Sequence, residues 1–224
     1  MNSARVLFYI TVATTTTAIY SYEPKIHEQW WQTNCNSKIH LFREWYGSAE
    51  TKERKLLCDY LKEKQYRSIL DAGCSLCTLF FAIKKEQLDI EYDGLDVTQT
   101  FVDRAHKFGI RATHASIEHM PFEDSAYDIV YARHVLEHLE YYQHALDEMI
   151  RVAKKEVMIS FFMHPNNWTP DAININTIDE LPVYHNQYNK LKLESWIKDN
   201  PKVESVSWRY VGNDYSAHIM LKAN

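Results

Sequence analysis

The architecture follows from one segment of the chain, Arg67–Cys77, which has the sequence RSILDAGCSLC. Its first five residues form an apolar run that ends in an acid and a turn, and this pattern predicts a short buried strand. Gly73 then lets the backbone turn sharply and approach a ligand closely. Residues 76–85 have the pattern of a helix. The segment therefore predicts the strand–loop–helix unit from which parallel sheets are built.

The same alternation of strand and helix continues along the chain. Further strands are predicted at residues 90–96, 110–115, 127–132 and 157–162, and further helices at 48–64, 99–108 and 141–152. Two β-like runs, 203–211 and 217–222, are separated by Gly212, Asn213 and Asp214, which are typical of a hairpin turn. We therefore expect an α/β fold: a Rossmann-like, doubly wound, seven-stranded and mostly parallel sheet with a C-terminal antiparallel hairpin.

The chain is expected to divide into two regions. Residues 48–224 are predicted to form a single domain, with a cap insertion at about 165–200 that contains one helix at about 190–199. Residues 1–47 are predicted to form an N-terminal segment or lid. Within it, residues 4–20 resemble a short hydrophobic leader, although the stretch is shorter than the ~20 strongly apolar residues of a membrane helix. A segment laid on the domain is favoured, and a signal or anchor stays open.

The composition is that of a globular domain with no global basic field. The chain has 224 residues, of which 46% are hydrophobic and 25% charged, and its net charge is −5. These values argue against disorder, and they do not favour electrostatic capture of nucleic acid. Four irregularly spaced cysteines in a chain of this size suggest reduced thiols, so a cytoplasmic location is expected. Membrane association is not expected unless residues 4–20 anchor the chain.

Two acidic residues are predicted to end neighbouring strands. Asp71 ends the first strand, just before Gly73, and Asp96 ends the second, 25 residues later. Ligands of open α/β sheets bind beyond the carboxyl ends of the strands, where Asp96 is placed to accept hydrogen bonds from a ribose diol. A glycine turn and an acid are a weak signal when taken singly, because an ordinary loop with a solvated aspartate has the same pattern.

Two further segments strengthen the signal. Residues 115–130, ASIEHMPFEDSAYDIV, follow the third predicted strand, and residues 133–139, RHVLEHL, follow the fourth. Together with the loop at 71–77 and the acid at Asp96, this layout resembles the class I S-adenosylmethionine-dependent methyltransferases, in particular the small single-domain members of the methyltransferase type 11 kind. The resemblance covers residues 48–224. It implies S-adenosyl-L-methionine as cofactor and S-adenosyl-L-homocysteine as its product.

The resemblance also implies a set of cofactor-binding residues. They are Asp71, Ala72, Gly73, Cys74, Ser75, Asp96, Val97, Ser116, Ile117, Arg133 and His134. Three positions depart from the family pattern, since Ser75 and Cys77 replace glycines and Ser116 replaces the acid that binds adenine. A Cβ at a loop position that needs positive φ strains the backbone, so reduced tolerance is expected rather than a blocked site.

Two histidines are the candidates for catalysis. Methyl transfer requires an aligned nucleophile and, for a hydroxyl or ammonium acceptor, removal of a proton, which a neutral imidazole can perform. His134 and His138 are four residues apart, on what is predicted to be a helical turn facing the methyl end of the cofactor. A packing role stays open, above all for His138. Cys74 and Cys77 form a CxxC pair that also suits redox chemistry, but zinc needs two further ligands, so no metal is predicted.

The expected function is methyl transfer to an oxygen or nitrogen of a small-molecule acceptor. Aromatic residues of the cap, such as Trp168 and Tyr184, and of the N-terminal region, such as Trp31, are expected to cover the acceptor side. One alternative is a catalytically inactive, methyltransferase-like binding module, which the departures at Ser75 and Ser116 would explain. A second is a methyltransferase that acts on RNA or protein.

Overall fold

A seven-stranded sheet forms the centre of the fold in the computed structural model, which describes residues 25–35, 38–40, 48–168, 170, 173–178 and 181–223. The strands of the chain are β1 (Ser68–Ala72), β2 (Glu91–Asp96), β3 (Ala112–His114), β4 (Tyr127–Arg133), β5 (Ala153–Phe161), β6 (Ile175–Ile178), β7 (Leu181–Tyr184), β8 (Val203–Val211) and β9 (Asp214–Leu221). The predicted leader at 4–20 lies outside the described residues.

The order of the central sheet is β3-β2-β1-β4-β5-β9-β8. Strands β1 to β5 pair in parallel, whereas β9 runs antiparallel to both β5 and β8. This arrangement confirms the predicted doubly wound sheet and its terminal hairpin. From β1 the chain proceeds outward to β2 and β3, and it then returns to β4 on the other side of β1. The sheet therefore has a topological switch point between β1 and β4, beyond whose carboxyl ends ligands bind in such folds.

Helices cover both faces of the sheet. They are α1 (Ile26–Asn34), α2 (Lys52–Lys64), α3 (Thr78–Lys85), α4 (Gln99–Lys107), α5 (Gln143–Val152) and α6 (Lys190–Asp199). The strands between them are buried on both sides, as shown by Ile69 and Leu70, which point to opposite faces and are each 0% exposed. The packing of apolar helix stripes on both faces of the sheet stabilises the fold.

Two predicted details of the secondary structure were wrong. The first helix of the domain was expected from Ser48, but α2 begins at Lys52, because the hydroxyl of Thr51 caps it by accepting a hydrogen bond from the Arg54 backbone N–H. The cap was expected to contain one helix, but it also contains β6 and β7, which form a separate antiparallel pair. Pro182 made a strand hard to predict there, and a two-stranded sheet accommodates it because both strands are edges.

In the described part of the chain, no helix is long and apolar enough to cross a membrane.

Candidate active site

A cavity lies at the carboxyl ends of β1, β2 and β4, beside the switch point. It encloses about 1050 Å³ of atom-free space, including the part that opens to solvent. The predicted site residues that line it are Asp71, Gly73, Cys74, Ser75, Asp96, Val97, Ile117, Arg133, His134 and His138. Two other predicted residues, Ala72 and Ser116, lie in the shell behind the wall, and both are buried. The fold thus brings segments from four strand ends to one cavity.

The loop between β1 and α3 has an unusual backbone. Gly73 has a φ of +84°, and a Cβ built on it would overlap the side chain of Val135. Ser75 and Cys77 have φ values of 47° and 53°, which is the left-handed region that favours glycine. The strain anticipated from the sequence at these two positions is therefore present. The loop is held in place because the Gly73 backbone N–H donates to the Leu95 carbonyl at 2.7 Å.

Asp96 is fixed at the tip of β2 by two backbone donors. Its carboxylate accepts the N–H of Ser75 at 2.8 Å and the N–H of Thr98 at 2.8 Å. Burial raises the pKa of Asp96, and hydrogen bonds from these two backbone N–H groups and from the Thr98 side chain oppose that rise because they stabilise the charged form. A carboxylate has about four acceptor positions, so these three bonds still allow it to receive a hydroxyl donor from the cavity side.

Asp71 and Arg54 also line the cavity. The hydroxyl of Tyr92 donates to Asp71 at 2.7 Å, and burial raises the pKa of Asp71 to about 6. Arg54, on α2, is 7% exposed and lowers the pKa of Asp71 by its charge. Its guanidinium donates to the Ser48 carbonyl at 2.7 Å. Sequence reasoning missed Arg54, because α2 precedes the motif-bearing segments and a single arginine among surface charges carries no signal.

His134 belongs to a buried charged cluster. The His134 Nε2 lies 2.9 Å from one carboxylate oxygen of Asp214, and the Arg133 Nε donates to the other at 2.6 Å. Burial lowers the pKa of His134, and the Asp214 carboxylate opposes that change. Hydrogen bonds from His134 and Arg133 hold the pKa of Asp214 below its usual value, although burial acts in the other direction. An ionised carboxylate only accepts, so Nε2 carries the proton and Nδ1 is the basic nitrogen.

His138 is not on a shared helical turn with His134, so that prediction was wrong. His134 has a φ of 58°, and only Leu136–His138 form a short 3₁₀ helix. The His138 Nδ1 donates to the Tyr184 carbonyl at 2.8 Å, which leaves Nε2 as the acceptor. That Nε2 is buried and has no hydrogen-bond partner among the described residues. Burial lowers the pKa of His138 to about 4, so the ring is neutral and only weakly basic.

The N-terminal helix α1 closes one side of the cavity. Glu28 and Trp31 line the cavity, and neither is among the cofactor-binding residues predicted from the sequence. The side-chain amide of Gln32 donates to the Val97 carbonyl at 3.0 Å, and the ring of Trp31 lies 4.7 Å from that of His138, centroid to centroid. By contrast, no described residue of the cap at 165–200 lines the cavity, and Trp168 is 84% exposed. Aromatic cover from the cap was therefore a wrong expectation for Trp168.

Comparison with known proteins shows which domains this chain is similar to. Residues 70–161, which run from β1 to β5, match a family model described as a methyltransferase domain. The chain is also similar to an uncharacterised protein of Methanocaldococcus jannaschii (28% identical over 58% of the chain and 55% of that protein). A second relative is ajmaline N-methyltransferase of Rauvolfia serpentina (29% identical over 46% of the chain and 38% of that protein). The chain therefore spans about half the length of these curated relatives or less.

A solved methyltransferase shares the fold over most of the chain. It is the Burkholderia thailandensis 1,6-didemethyltoxoflavin-N1-methyltransferase, which was crystallised with 1,6-didemethyltoxoflavin and S-adenosylhomocysteine. The TM-score is 0.61, with 13% identity, over 91% of this chain and 93% of that one. At this identity the likeness establishes the methyltransferase architecture alone.

The residues of the cavity fit S-adenosylmethionine, the cofactor that the resemblance to methyltransferases implies. The hydroxyl of Ser75 is buried in the cavity wall and, within the described residues, has no hydrogen-bond partner. A buried hydroxyl without a partner is costly, and a polar ligand would satisfy it. At Gly73 the absence of a Cβ leaves room for close packing of the loop on Val135, so the main chain itself forms part of the wall. Asp96 supplies the rigid acceptor that a ribose diol requires.

Proposed function

We propose that this chain transfers a methyl group from S-adenosylmethionine to an oxygen or nitrogen of a small-molecule acceptor. One observation carries the proposal: Asp96, Gly73 and His134 line one cavity, and His134 is hydrogen-bonded to Asp214. A nucleoside-binding acid, a glycine loop and a candidate base at one strand edge are what such a transfer needs. When bound, S-adenosylmethionine supplies a methyl group carried on a positively charged sulfonium sulfur. The leaving group is a neutral thioether, so it needs no acid to assist its departure.

The cofactor-binding roles follow from the chemistry of the wall. Asp96 is proposed to accept the ribose hydroxyls, and Ile117 and Val97 to flank the base. The amino-acid tail is proposed to lie beside Gly73, where Asp71 favours its ammonium group and Arg54 its carboxylate. Arg54 is poised for this because it is a cation 7% exposed in the cavity wall. A buried guanidinium gains most from a carboxylate partner.

His134 is the stronger of the two candidate bases. Asp214 orients its ring and stabilises the imidazolium that forms when Nδ1 takes a proton from the acceptor hydroxyl or ammonium group. His138 is held in the neutral form by burial, and its pKa of about 4 suits an acceptor of a hydrogen bond better than a proton carrier. We therefore assign His138 to positioning the acceptor and His134 to proton removal.

A small acceptor is favoured over RNA or protein. The net charge of −5 gives no overall positive field that would attract a phosphate backbone. Trp31 of α1 and Phe101 of α4 also narrow the cavity with aromatic rings, which suits a compact acceptor better than an extended polymer.

Calorimetry with S-adenosylhomocysteine tests the cofactor part of the proposal. The purified full chain is expected to bind it with one-to-one stoichiometry. Replacing Asp96 with Asn places an amide N–H opposite backbone N–H donors, so affinity should fall about tenfold or more. Asp89→Asn is the matched control, because the Asp89 side chain is 98% exposed. A wild-type chain that shows no heat of binding would refute the proposal.

Transfer itself is tested with tritium-labelled cofactor. Label should move from the methyl group of S-adenosylmethionine into a fraction of a small-metabolite pool, and the rate should fall in His134→Ala while calorimetric binding persists. Label recovered in the RNA or protein fraction instead would contradict the small-molecule acceptor. Cofactor binding without transfer to any of the three pools would favour the inactive binding module.

A further inference from the structure

We propose that Glu28, on the N-terminal helix α1, is the specificity-determining residue that recognises the exocyclic amino group of the cofactor's base. The inference rests on the proposed function, since it concerns the same cavity. It assigns to α1 a direct role in binding. The carboxylate of Glu28 would take the place of the acid that is absent at Ser116, after β3.

Glu28 is a deeply buried acid in the cavity wall. It is 3% exposed, and its carboxylate accepts the hydroxyl of Ser116 at 2.8 Å and the backbone N–H of Lys25 at 2.8 Å. Burial raises its pKa, and those two bonds oppose the rise. A carboxyl group carries a desolvation cost at such a position, so a donor from the cavity side would stabilise it.

The order of the strands places Glu28 at the base end of the cavity. Because the sheet runs β3-β2-β1-β4, the wall passes from Ile117, after β3, to Asp96 on β2, Gly73 after β1 and His134 after β4. If Asp96 holds the sugar and the methyl group faces His134, the base must lie on the β3 side. Glu28 bonds to Ser116 on that same side.

The lining of the cavity suits a planar ring with an amino donor. Val97, Phe101 and Ile117 are apolar residues of the same lining as Glu28, and they suit the faces of a purine. The other acid nearby, Glu118, is bonded to the Lys25 ammonium at 2.7 Å and does not line the cavity. Ser116 itself carries no charge. Glu28 is thus the acid in the described wall that can distinguish a 6-aminopurine from a purine without the amino group.

The rest of α1 holds Glu28 in position. Gln32 bonds to the Val97 carbonyl, one turn further along the helix from Glu28, and Trp31 packs on His138 at the opposite end of the cavity. The helix is therefore attached to both the base side and the catalytic side of the site.

The test is a comparison of two ligands by calorimetry on the full-length chain. One is S-adenosylhomocysteine, and the other is its analogue with purine in place of adenine, which lacks only the 6-amino group. The wild-type chain should prefer S-adenosylhomocysteine by about tenfold or more, as expected for a hydrogen bond to a charged acceptor. Glu28→Leu should abolish that preference, and Glu28→Gln, which keeps a neutral acceptor, should reduce it at least threefold.

Two further variants separate recognition from a general effect on the fold. Glu118→Gln is the matched control and should keep the wild-type preference. The double variant Glu28→Leu with Ser116→Asp returns a carboxylate to the β3 side and should restore the preference in part. If Glu28→Leu does not fold, as judged by circular dichroism, the Glu28→Gln ratio decides the question in the same way.

The outcomes distinguish the inference from the proposed function. A wild-type chain that binds both ligands equally, or Glu28 variants that keep the full preference, would overturn the inference while leaving methyl transfer intact. A wild-type chain that binds neither ligand would overturn both.

Discussion

At the scale of single residues, the most informative feature is the cluster in which one carboxylate binds an arginine and a histidine. Asp214, at the start of β9, receives hydrogen bonds from both Arg133 and His134, which lie at the end of β4. An ion pair this deep is stabilising only when each charge is hydrogen-bonded, and here the carboxylate has a partner for each oxygen. The arrangement fixes the ring of His134 and defines which nitrogen is basic.

Asp214→Asn is predicted to change the pH profile of methyl transfer. The carboxylate favours the protonated imidazole, so its loss should lower the pKa of His134 further and move the acid limb of the kcat/KM profile to lower pH. Loss of orientation should reduce kcat by about tenfold. The measurement is initial rate against pH, with Asp89→Asn as control. A variant with both the wild-type rate and the wild-type profile would exclude the positioning role of Asp214.

Glu137→Gln is predicted to change how stability depends on pH. Burial raises the pKa of Glu137 to about 8 from 4.5, although the backbone N–H groups of Phe162 and Met163 oppose the shift. The folded state keeps a proton that the unfolded chain releases above pH 4.5, so the free energy of unfolding falls as pH rises toward 8.

Urea unfolding between pH 6.5 and 7.5 measures this effect. The wild-type chain should lose about 1.4 kcal/mol per pH unit more than Glu137→Gln, which carries no titrating group at that position. Glu140→Gln, at a partly exposed neighbouring position, should follow the wild-type slope. Parallel curves for wild type and Glu137→Gln would mean that Glu137 is ionised in the folded protein.

Several residues of the site could not be found from the sequence. The recognisable ones, such as Gly73 and Asp96, belong to short motifs whose roles depend on local order along the chain. Glu28 instead lines the cavity from α1, where it bonds to a residue 88 positions away, and Asp214 bonds to His134, 80 positions away. Such contacts depend on how α1 and the terminal hairpin dock on the sheet, and no local pattern encodes that docking.

At the scale of elements, the alternation of strands and helices was predictable and its details were not. Helix α6 has the bounds that the periodicity predicts, and β8 spans the predicted residues 203–211. The parallel sheet follows from the spacing of apolar runs, since only right-handed crossovers join such strands readily. The β6–β7 pair went unpredicted because its polar first strand and its proline lack the pattern of a core strand. The start of α2 was mispredicted because Thr51, and not Ser48, caps the helix.

The loop between β1 and α3 leads to a prediction about Gly73→Ala. The substitution has two costs: a positive φ of +84° and overlap of the new Cβ with Val135. Gly109→Ala is the matched control, since Gly109 has a φ of +68° and nothing within 4 Å of the new Cβ. Gly109→Ala should cost about 1 kcal/mol of unfolding free energy, whereas Gly73→Ala should cost about 2–4 kcal/mol.

The double variant Gly73→Ala with Val135→Ala separates the two costs. It should relieve the overlap at position 73 but not the positive φ. Its cost, measured by urea unfolding against Val135→Ala alone, should therefore approach that of Gly109→Ala. Equal costs for the single Gly73→Ala and Gly109→Ala variants would show that the loop moves away from Val135 without penalty.

At the scale of the whole molecule, the site is shared between the central sheet and a helix that precedes it. The strand tips supply Asp96 and Gly73, α1 supplies Glu28 and Trp31, and the terminal hairpin supplies Asp214 as the partner of His134. A ligand in the cavity would contact both the sheet and α1, so binding should oppose every opening motion that separates them. By mass action, a ligand at 100 times its Kd stabilises the closed form by about 2.7 kcal/mol.

Hydrogen exchange with and without S-adenosylhomocysteine should reveal this closure. Amides of α1 (Ile26–Asn34) and of the loop at 73–77 should exchange up to about 100-fold more slowly with saturating ligand, because exchange there requires the helix to leave the cavity. Peptides from α6 should be unaffected, since no described residue of that helix lines the cavity. Protection of the loop without protection of α1 would show that the sheet binds the cofactor alone, and that Glu28 and Trp31 contribute nothing to holding it.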